Sequence, residues 1–98
     1  NRMNTLLVLN ITPELEEELV DYLLSLEELG GFTSYSVHGH GEQGRLSIAE
    51  QVSGRRKRVQ FEILLPEQQV DSLIARLAEE VGKGIYYWQL PVARSGRF

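Results

Sequence analysis

The sequence predicts an α+β domain of the ferredoxin-like type, with a four-stranded antiparallel sheet and two helices on one face. Apolar residues recur at every second position in short segments and at every third or fourth position in two longer ones. These segments follow one another in the order βαββαβ, which is the order of a split βαβ fold. The 98 residues are enough for one such domain.

The first half of the chain supplies a strand, a helix and a second strand. Residues 6–11 read LLVLNI, a short apolar run typical of a buried strand. Thr12 followed by Pro13 predicts a helix start, with a capping hydroxyl and a proline at the first helical position. We expect this helix to end at residues 30–31, a Gly-Gly pair, and residues 32–38 to alternate as the second strand. Its apolar stripe is Leu15, Leu19, Leu23 and Leu26.

The second half repeats the pattern after a glycine-bearing loop predicted over residues 39–57. Residues 58–65 are the clearest strand, with alternating apolar and polar positions. Pro66 opens a second helix, which Gly82 and Gly84 end. Residues 85–92 read IYYWQLPV and predict an aromatic last strand. The apolar face of the second helix is Val70, Leu73, Ile74, Leu77 and Val81.

Composition excludes several classes of protein. The net charge of −4 argues against a nucleic-acid partner. The absence of cysteine excludes a disulfide framework, a CxxC metal site and a thiol nucleophile. Without an apolar run of about 20 residues or a secretory signal, we expect a cytoplasmic protein. Asn1 and Arg2 precede Met3, and we expect them to be additions ahead of a native start, with one domain over residues 3–98.

Two histidines two residues apart suggest a metal site. His38 and His40 would share one face of a strand, with Cα atoms about 6.5–7 Å apart. Two imidazoles at that separation can reach one divalent transition metal, and Glu42 can add a carboxylate. The same spacing also fits two solvated histidines at a strand end, so both interpretations stay open.

Four consecutive cations at residues 55–58 suggest an anion site. Strand alternation sends Arg56 and Arg58 to one face and Arg55 and Lys57 to the other. Guanidinium groups placed in a cleft would bind phosphate or carboxylate through paired hydrogen bonds. The alternative is a solvated strand start, in which the four charges only repel one another.

The aromatic last strand indicates packing more than ligand binding. Alternation puts Tyr86 and Trp88 on one face and Tyr87 on the other. We expect one set to pack under the helices and the other to contact a second subunit.

An enzyme is not indicated. No Cys–His pair exists, and the serines lack a nucleophile-elbow context. The residues after the first strand do not form the phosphate loop of an acylphosphatase-like fold, and the strands lack the aromatic motifs of an RNA-recognition module.

Three segments resemble a known family: LLVLNITPELEEELVDYLL, LSIAEQVSGRRKRVQFEILLP and YYWQLPVARSGRF. With the long loop between the second and third strands, they make the chain similar to the PII superfamily of signalling proteins. Within it, the chain is similar to a PII-like family encoded beside heavy-metal efflux pumps of the resistance-nodulation-division type. The resemblance covers nearly the whole chain.

The resemblance implies a homotrimer with small-ligand sites in the clefts between subunits. Residues 39–57 would be the mobile loop that reports ligand state to a target protein. Lys83, in a Gly-Lys-Gly sequence, would lie in the loop that cradles nucleotide phosphates in PII proteins, and Arg94 and Arg97 lie near that family's basic phosphate ligands. Its longer phosphate loop and its loop tyrosine are absent here, so nucleotidylation is not implied.

Together these observations predict a non-enzymatic regulator that senses a small ligand and signals to a membrane transporter or its regulator. The ligand would be a nucleotide or another anionic metabolite, held by Arg56 and Arg58, with Lys83, Arg94 and Arg97 as further ligands. The alternative function is a metal-binding accessory protein that uses His38 and His40.

Overall fold

A computed structural model describes residues 4–40 and 56–98. Its single sheet is antiparallel throughout, in the order β2-β3-β1-β4, and two helices cross one face. The strands are β1 (Asn4–Ile11), β2 (Thr33–Gly39), β3 (Arg56–Pro66) and β4 (Tyr86–Pro91). The helices are α1 (Glu16–Leu24) and α2 (Val70–Glu80). The predicted ferredoxin-like α+β fold is confirmed.

Each helix begins as predicted at a proline, but through a short 3-10 turn. Pro13–Leu15 leads into α1 and Glu67–Gln69 leads into α2. Thr12 occupies the N-cap position without a side-chain capping bond, and instead its carbonyl accepts the amide of Leu15 at 3.1 Å. The tight first turn therefore uses a backbone bond in place of the predicted hydroxyl cap.

The first helix ends before the predicted Gly-Gly pair. The hydroxyl of Ser25 donates to the carbonyl of Tyr22 at 2.6 Å, and the amide of Leu26 bonds Leu23 at three-residue spacing. Serine competes for helix carbonyls in this way, and the last turn tightens. The second helix ends where predicted, and Gly82 and Gly84 adopt the positive φ angles that favour glycine.

The hydrophobic core lies between the helices and one face of the sheet. Phe61 is fully buried at its centre and contacts the ring of Phe32, with centroids 5.9 Å apart. Both predicted helical stripes face this core, most of their members buried and Leu15, Leu26 and Ile74 partly so. The sheet contributes Leu7, Leu9, Ile11, Val59, Phe61, Ile63 and Leu65.

The other face of the sheet carries no helix of the described chain. Residues opposite one another in antiparallel strands point to the same side, so this open face consists of rows that cross the sheet. One row near the start of β1, the next after the Asn4–Pro66 pair, is apolar and contains Leu6, Leu64 and Leu90. Toward the other end the face becomes polar and then basic, and the successive β3 residues are Glu62, Gln60, Arg58 and Arg56.

The predicted loop is shorter at both ends than residues 39–57. Gly39 pairs with Arg56, and His38 pairs with Lys57, so these positions belong to the strand ladder. Residues 41–55 lie outside the described part of the chain, as do Asn1 and Arg2. Among the helices that the structure describes, none has the length and apolar character to cross a membrane.

The core predicts a contrast between two leucines on the helices. Leu73→Ala in α2 should lower the free energy of unfolding by about 2–5 kcal/mol, because it leaves a cavity under a residue only 1% exposed. Leu24→Ala in α1 is the matched control, because it removes the same atoms from a side chain that is 69% exposed. It should change the free energy of unfolding by less than about 0.5 kcal/mol. Urea unfolding at one protein concentration measures both; equal midpoints for the two variants would contradict this packing.

Candidate functional site

A cavity of about 420 Å³ lies at the basic end of the open face, where β2 ends and β3 begins. Its border is basic on one side, with His38, His40, Arg56 and Arg58. Its other side is polar and aromatic, with Asn10, Gln60, Tyr86 and Trp88. The cavity therefore brings together four strands that are distant in sequence.

The strand register places the two arginines on this side of the sheet. Arg58 lies opposite Val37 and Arg56 lies opposite Gly39, so both point to the open face as predicted. Lys57 lies between them and points to the other face, also as predicted. Because Gly39 has no side chain, the floor beside Arg56 stays open.

Arg58 is held rigidly for a charged side chain and is only 6% exposed. Its Nε donates to Oδ1 of Asn10 at 2.6 Å and its Nη2 donates to the Asn10 carbonyl at 3.0 Å. Its guanidinium carbon lies 5.1 Å from the ring centre of Tyr86, within the range of a cation–π contact. The guanidinium thus reaches from β3 across β1 to β4.

The hydrogen bonds continue from Asn10 to the far edge of the sheet. Asn10 Nδ2 donates to Gln60 Oε1 at 2.9 Å, and Gln60 Nε2 donates to the Tyr35 hydroxyl at 3.1 Å. That hydroxyl donates to Glu62 Oε2 at 2.7 Å. This bond raises the pKa of Tyr35, because ionisation would remove it and set two anions together. The polar network therefore links the cavity to β2.

The charges around the cavity favour an anion. Arg56 and Arg58 each bring a guanidinium group to its border, and no carboxylate is among the described residues that border the cavity. A positive cavity in a chain with a net charge of −4 is a local feature that overall composition does not reveal.

The predicted metal ligands are only partly placed. His38 and His40 border the same cavity, but His38 lies opposite Lys57 in the register, so its side chain points to the helix-covered face of the sheet. Because β2 ends at Gly39, strand alternation does not set the direction of His40. Glu42 lies outside the described residues. Within residues 4–40 and 56–98, no group of three or more histidine, aspartate or glutamate side chains is placed to hold a metal ion.

The other predicted anion ligands lie away from this cavity within one chain. Lys83 borders a second cavity of about 150 Å³ between α2 and β4, on the helix-covered side of the sheet. Arg94 and Arg97 are exposed and follow β4, whose last residue pairs with Thr5. Ser95 accepts a bond from Asn4 at 3.0 Å, six strand residues or about 20 Å from Asn10.

Sequence reasoning missed two residues that position the site, Asn10 and Gln60. The signal for Asn10 was available, since it is the one polar residue in the apolar run LLVLNI. A polar side chain in a buried strand needs a hydrogen-bond partner, and here the partner is Arg58. Tyr86 and Trp88 were assigned to packing, and the structure shows that both also border the cavity.

Comparison with known families gives one match over almost the entire chain. Residues 2–98 match a family model described as a protein of unknown function, DUF3240. No curated protein matches the chain significantly.

Two solved structures share this architecture. A crystal structure of a DUF3240 family protein from Shewanella baltica OS155 superposes with a TM-score of 0.80 at 27% identity, covering 100% of this chain and 99% of that one. A functionally unknown protein from Pediococcus pentosaceus ATCC 25745 gives a TM-score of 0.66 at 14% identity, with 100% of both chains covered. The second likeness concerns the fold alone.

The polar network predicts a change in the titration of Tyr35. Glu62→Gln should move the pKa of Tyr35 back toward the ordinary 10.0, since a neutral amide no longer opposes ionisation. Chemical-shift titration of the tyrosine Cζ carbons measures it, with Glu67→Gln as a control of equal charge change. Because the folded pKa is raised, the stability gained from this bond is present below pH 10.0 and is lost at higher pH. An unchanged Tyr35 titration in Glu62→Gln would mean that the bond does not form.

Proposed function

We infer the function of this protein from its site and its family: the chain belongs to the DUF3240 family. We propose that it is a non-enzymatic, PII-like regulatory protein that binds a small anion and signals to a membrane transport system. The single observation that carries the proposal is the cavity at the basic end of the open face, bordered by Arg56 and Arg58.

The state of Arg58 supports an anion site. Its guanidinium is already desolvated and oriented by Asn10 and Tyr86, so little side-chain entropy is lost when a ligand binds. Charge-assisted hydrogen bonds in a cavity of this kind are stronger than those made in water.

The position of the cavity supports a signalling role. His40 and Arg56 flank residues 41–55, and both border the cavity. We propose that a ligand bound there contacts the residues on either side of that segment, and that the segment reports ligand binding to a target protein, as the PII-like resemblance implies.

The open face supports assembly into a homotrimer, which the PII-like resemblance implies. Leu64 and Leu90 are 43% and 49% exposed, and with Leu6 they form the apolar row at the far end from the cavity. An antiparallel sheet with one bare apolar region is typical of a subunit interface. We propose that neighbouring subunits cover this row and bring Lys83, Arg94 or Arg97 toward the cavity.

The proposed partner and location rest on the resemblance alone. PII-like proteins of the similar family are encoded beside heavy-metal efflux pumps, so the proposed target is such a membrane transporter or its regulator. A regulator of that kind would act in the cytoplasm.

The second candidate function is a metal-binding accessory protein. The observation in its favour is that His38 and His40 border one cavity. Against it, two guanidinium cations border the same space and repel a divalent ion. The anion is therefore the better-supported ligand.

Assembly gives a test of the interface. The protein should sediment as a trimer at micromolar concentration, and Leu64→Glu should dissociate it because a carboxylate would be buried in an apolar contact. Leu24→Glu, on an exposed leucine of α1, is the control and should leave the trimer intact. A monomeric wild-type protein would remove the homotrimer from the proposal.

The anion site can be tested with two variants that each remove one positive charge, one inside the cavity and one outside it. Arg56→Gln should weaken binding of inorganic phosphate, AMP, ADP or ATP by about tenfold or more, the usual effect of losing a charged hydrogen bond. Lys57→Gln removes the same charge from the opposite face and should change binding by less than about twofold. Calorimetric titration measures affinity, and hydrogen exchange over residues 39–57 shows whether the bound anion protects that segment.

The same titrations separate the two candidate functions. Binding of Cu²⁺, Zn²⁺ or Ni²⁺ that is lost in the His38→Ala, His40→Ala double variant, with no anion bound by the wild type, would favour the metal-binding accessory protein. Competition from protons should then weaken metal binding as the pH falls. Anion binding lost in Arg56→Gln but kept in the histidine variant would favour the regulator.

A further inference from the structure

We propose that the ligand of this cavity is an anion attached to a planar aromatic ring, with the ring against Trp88 and the anionic group at Arg58. This inference rests on the proposed anion site and adds the chemical class of what binds there. The class is a small aromatic carboxylate or phosphate of one or two rings.

Two aromatic side chains stand side by side on the wall of the cavity. Tyr86 and Trp88 are two residues apart on β4, so both point to the open face with Cα atoms about 6.5–7 Å apart. Tyr86 is engaged by the Arg58 guanidinium at 5.1 Å. Trp88 is 43% exposed and takes part neither in that contact nor in the Phe32–Phe61 ring pair, so its indole offers a stacking surface at the cavity.

The Arg58 guanidinium and the Trp88 indole lie close enough for one small molecule to contact both. Arg58 starts on β3 but reaches over Asn10 to the Tyr86 ring, which brings its charge to β4. From there Trp88 is the next residue on the same face. A ligand whose charge and ring are joined directly, or through one or two atoms, spans that distance.

The size of the cavity favours a ligand larger than a bare inorganic anion. Its volume of about 420 Å³ lies in the lower part of the 300–1,000 Å³ range of small-molecule sites. Phosphate or sulfate would leave most of that space to water. A molecule of one or two rings occupies more of that space and gains contact with Trp88 at little entropic cost, because an aromatic ring is rigid.

Matched pairs of probes test the inference on the wild-type protein. Phenyl phosphate should bind at least tenfold more tightly than methyl phosphate, and benzoate at least fivefold more tightly than cyclohexanecarboxylate. The second pair keeps the charge and the ring size and removes only the aromatic face. Comparing the affinity of the phosphate probes with that of the carboxylate probes shows which anionic group the site prefers. Trp88 is the sole tryptophan of the sequence, so its fluorescence reports each titration directly, with calorimetry in parallel.

Two variants locate the ring. Trp88→Leu should abolish the preference for benzoate over cyclohexanecarboxylate, measured by calorimetry because the fluorophore is gone. Tyr87→Leu removes the neighbouring aromatic side chain on the opposite face of β4 and should keep the preference. Circular dichroism and sedimentation confirm that both variants retain fold and assembly.

The outcomes separate this inference from the function on which it rests. If the ring-free probes bind as tightly as the aromatic ones, or if Trp88→Leu keeps the preference, the ring assignment is overturned while the anion site stands. If no anion of any kind binds, both the ring assignment and the proposed function are overturned.

Discussion

The sheet is covered by helices on one face only, and the rest of the structure depends on that asymmetry. Successive side chains of each strand point to opposite faces of the sheet, so one set of alternate residues faces the helices and the other set faces the open side. The apolar residues at odd-numbered positions of β1 and β3 build the core with α1 and α2. The even-numbered residues of the same strands form the open face, where polar and charged groups gather without disturbing the core.

Within the open face, the cost of burying Arg58 shapes the cavity. A guanidinium taken out of water is destabilising unless its donors find acceptors and its charge finds a favourable field. Asn10 supplies two oxygens and Tyr86 supplies the face of a ring. Asn10 in turn donates to Gln60, which donates to Tyr35, which donates to Glu62, so a hydrogen-bonded network extends from the buried charge across the sheet. Groups held in this way form a preorganised binding site more readily than a set of solvated cations.

The open face also separates two kinds of contact by position. Its apolar row lies near the start of β1 and its basic cavity near the end. A subunit that covers the first region and a ligand that fills the second can act on one continuous surface. This division gives the proposed regulator a physical basis for coupling assembly to ligand binding, through strands that run the length of both regions.

The sequence by itself determined the elements, their order and the parity of each strand. Periodicity is a local property, so LLVLNI, the two helical stripes and the outward direction of Arg56 and Arg58 were all predictable from neighbouring residues. The helix end at Ser25 and the missing Thr12 cap were not predictable, because serine and threonine hydroxyls can bond any of several nearby backbone groups.

Only the tertiary structure determined which residues form the site. Asn10 and Arg58 are 48 residues apart and meet only through the β1–β3 register, which also brings Tyr86 beside them. Lys83 was also predicted as an anion ligand, but it lies on the opposite side of the sheet from that cavity. The loop from α2 to β4, which contains Lys83, lies on the helix-covered side.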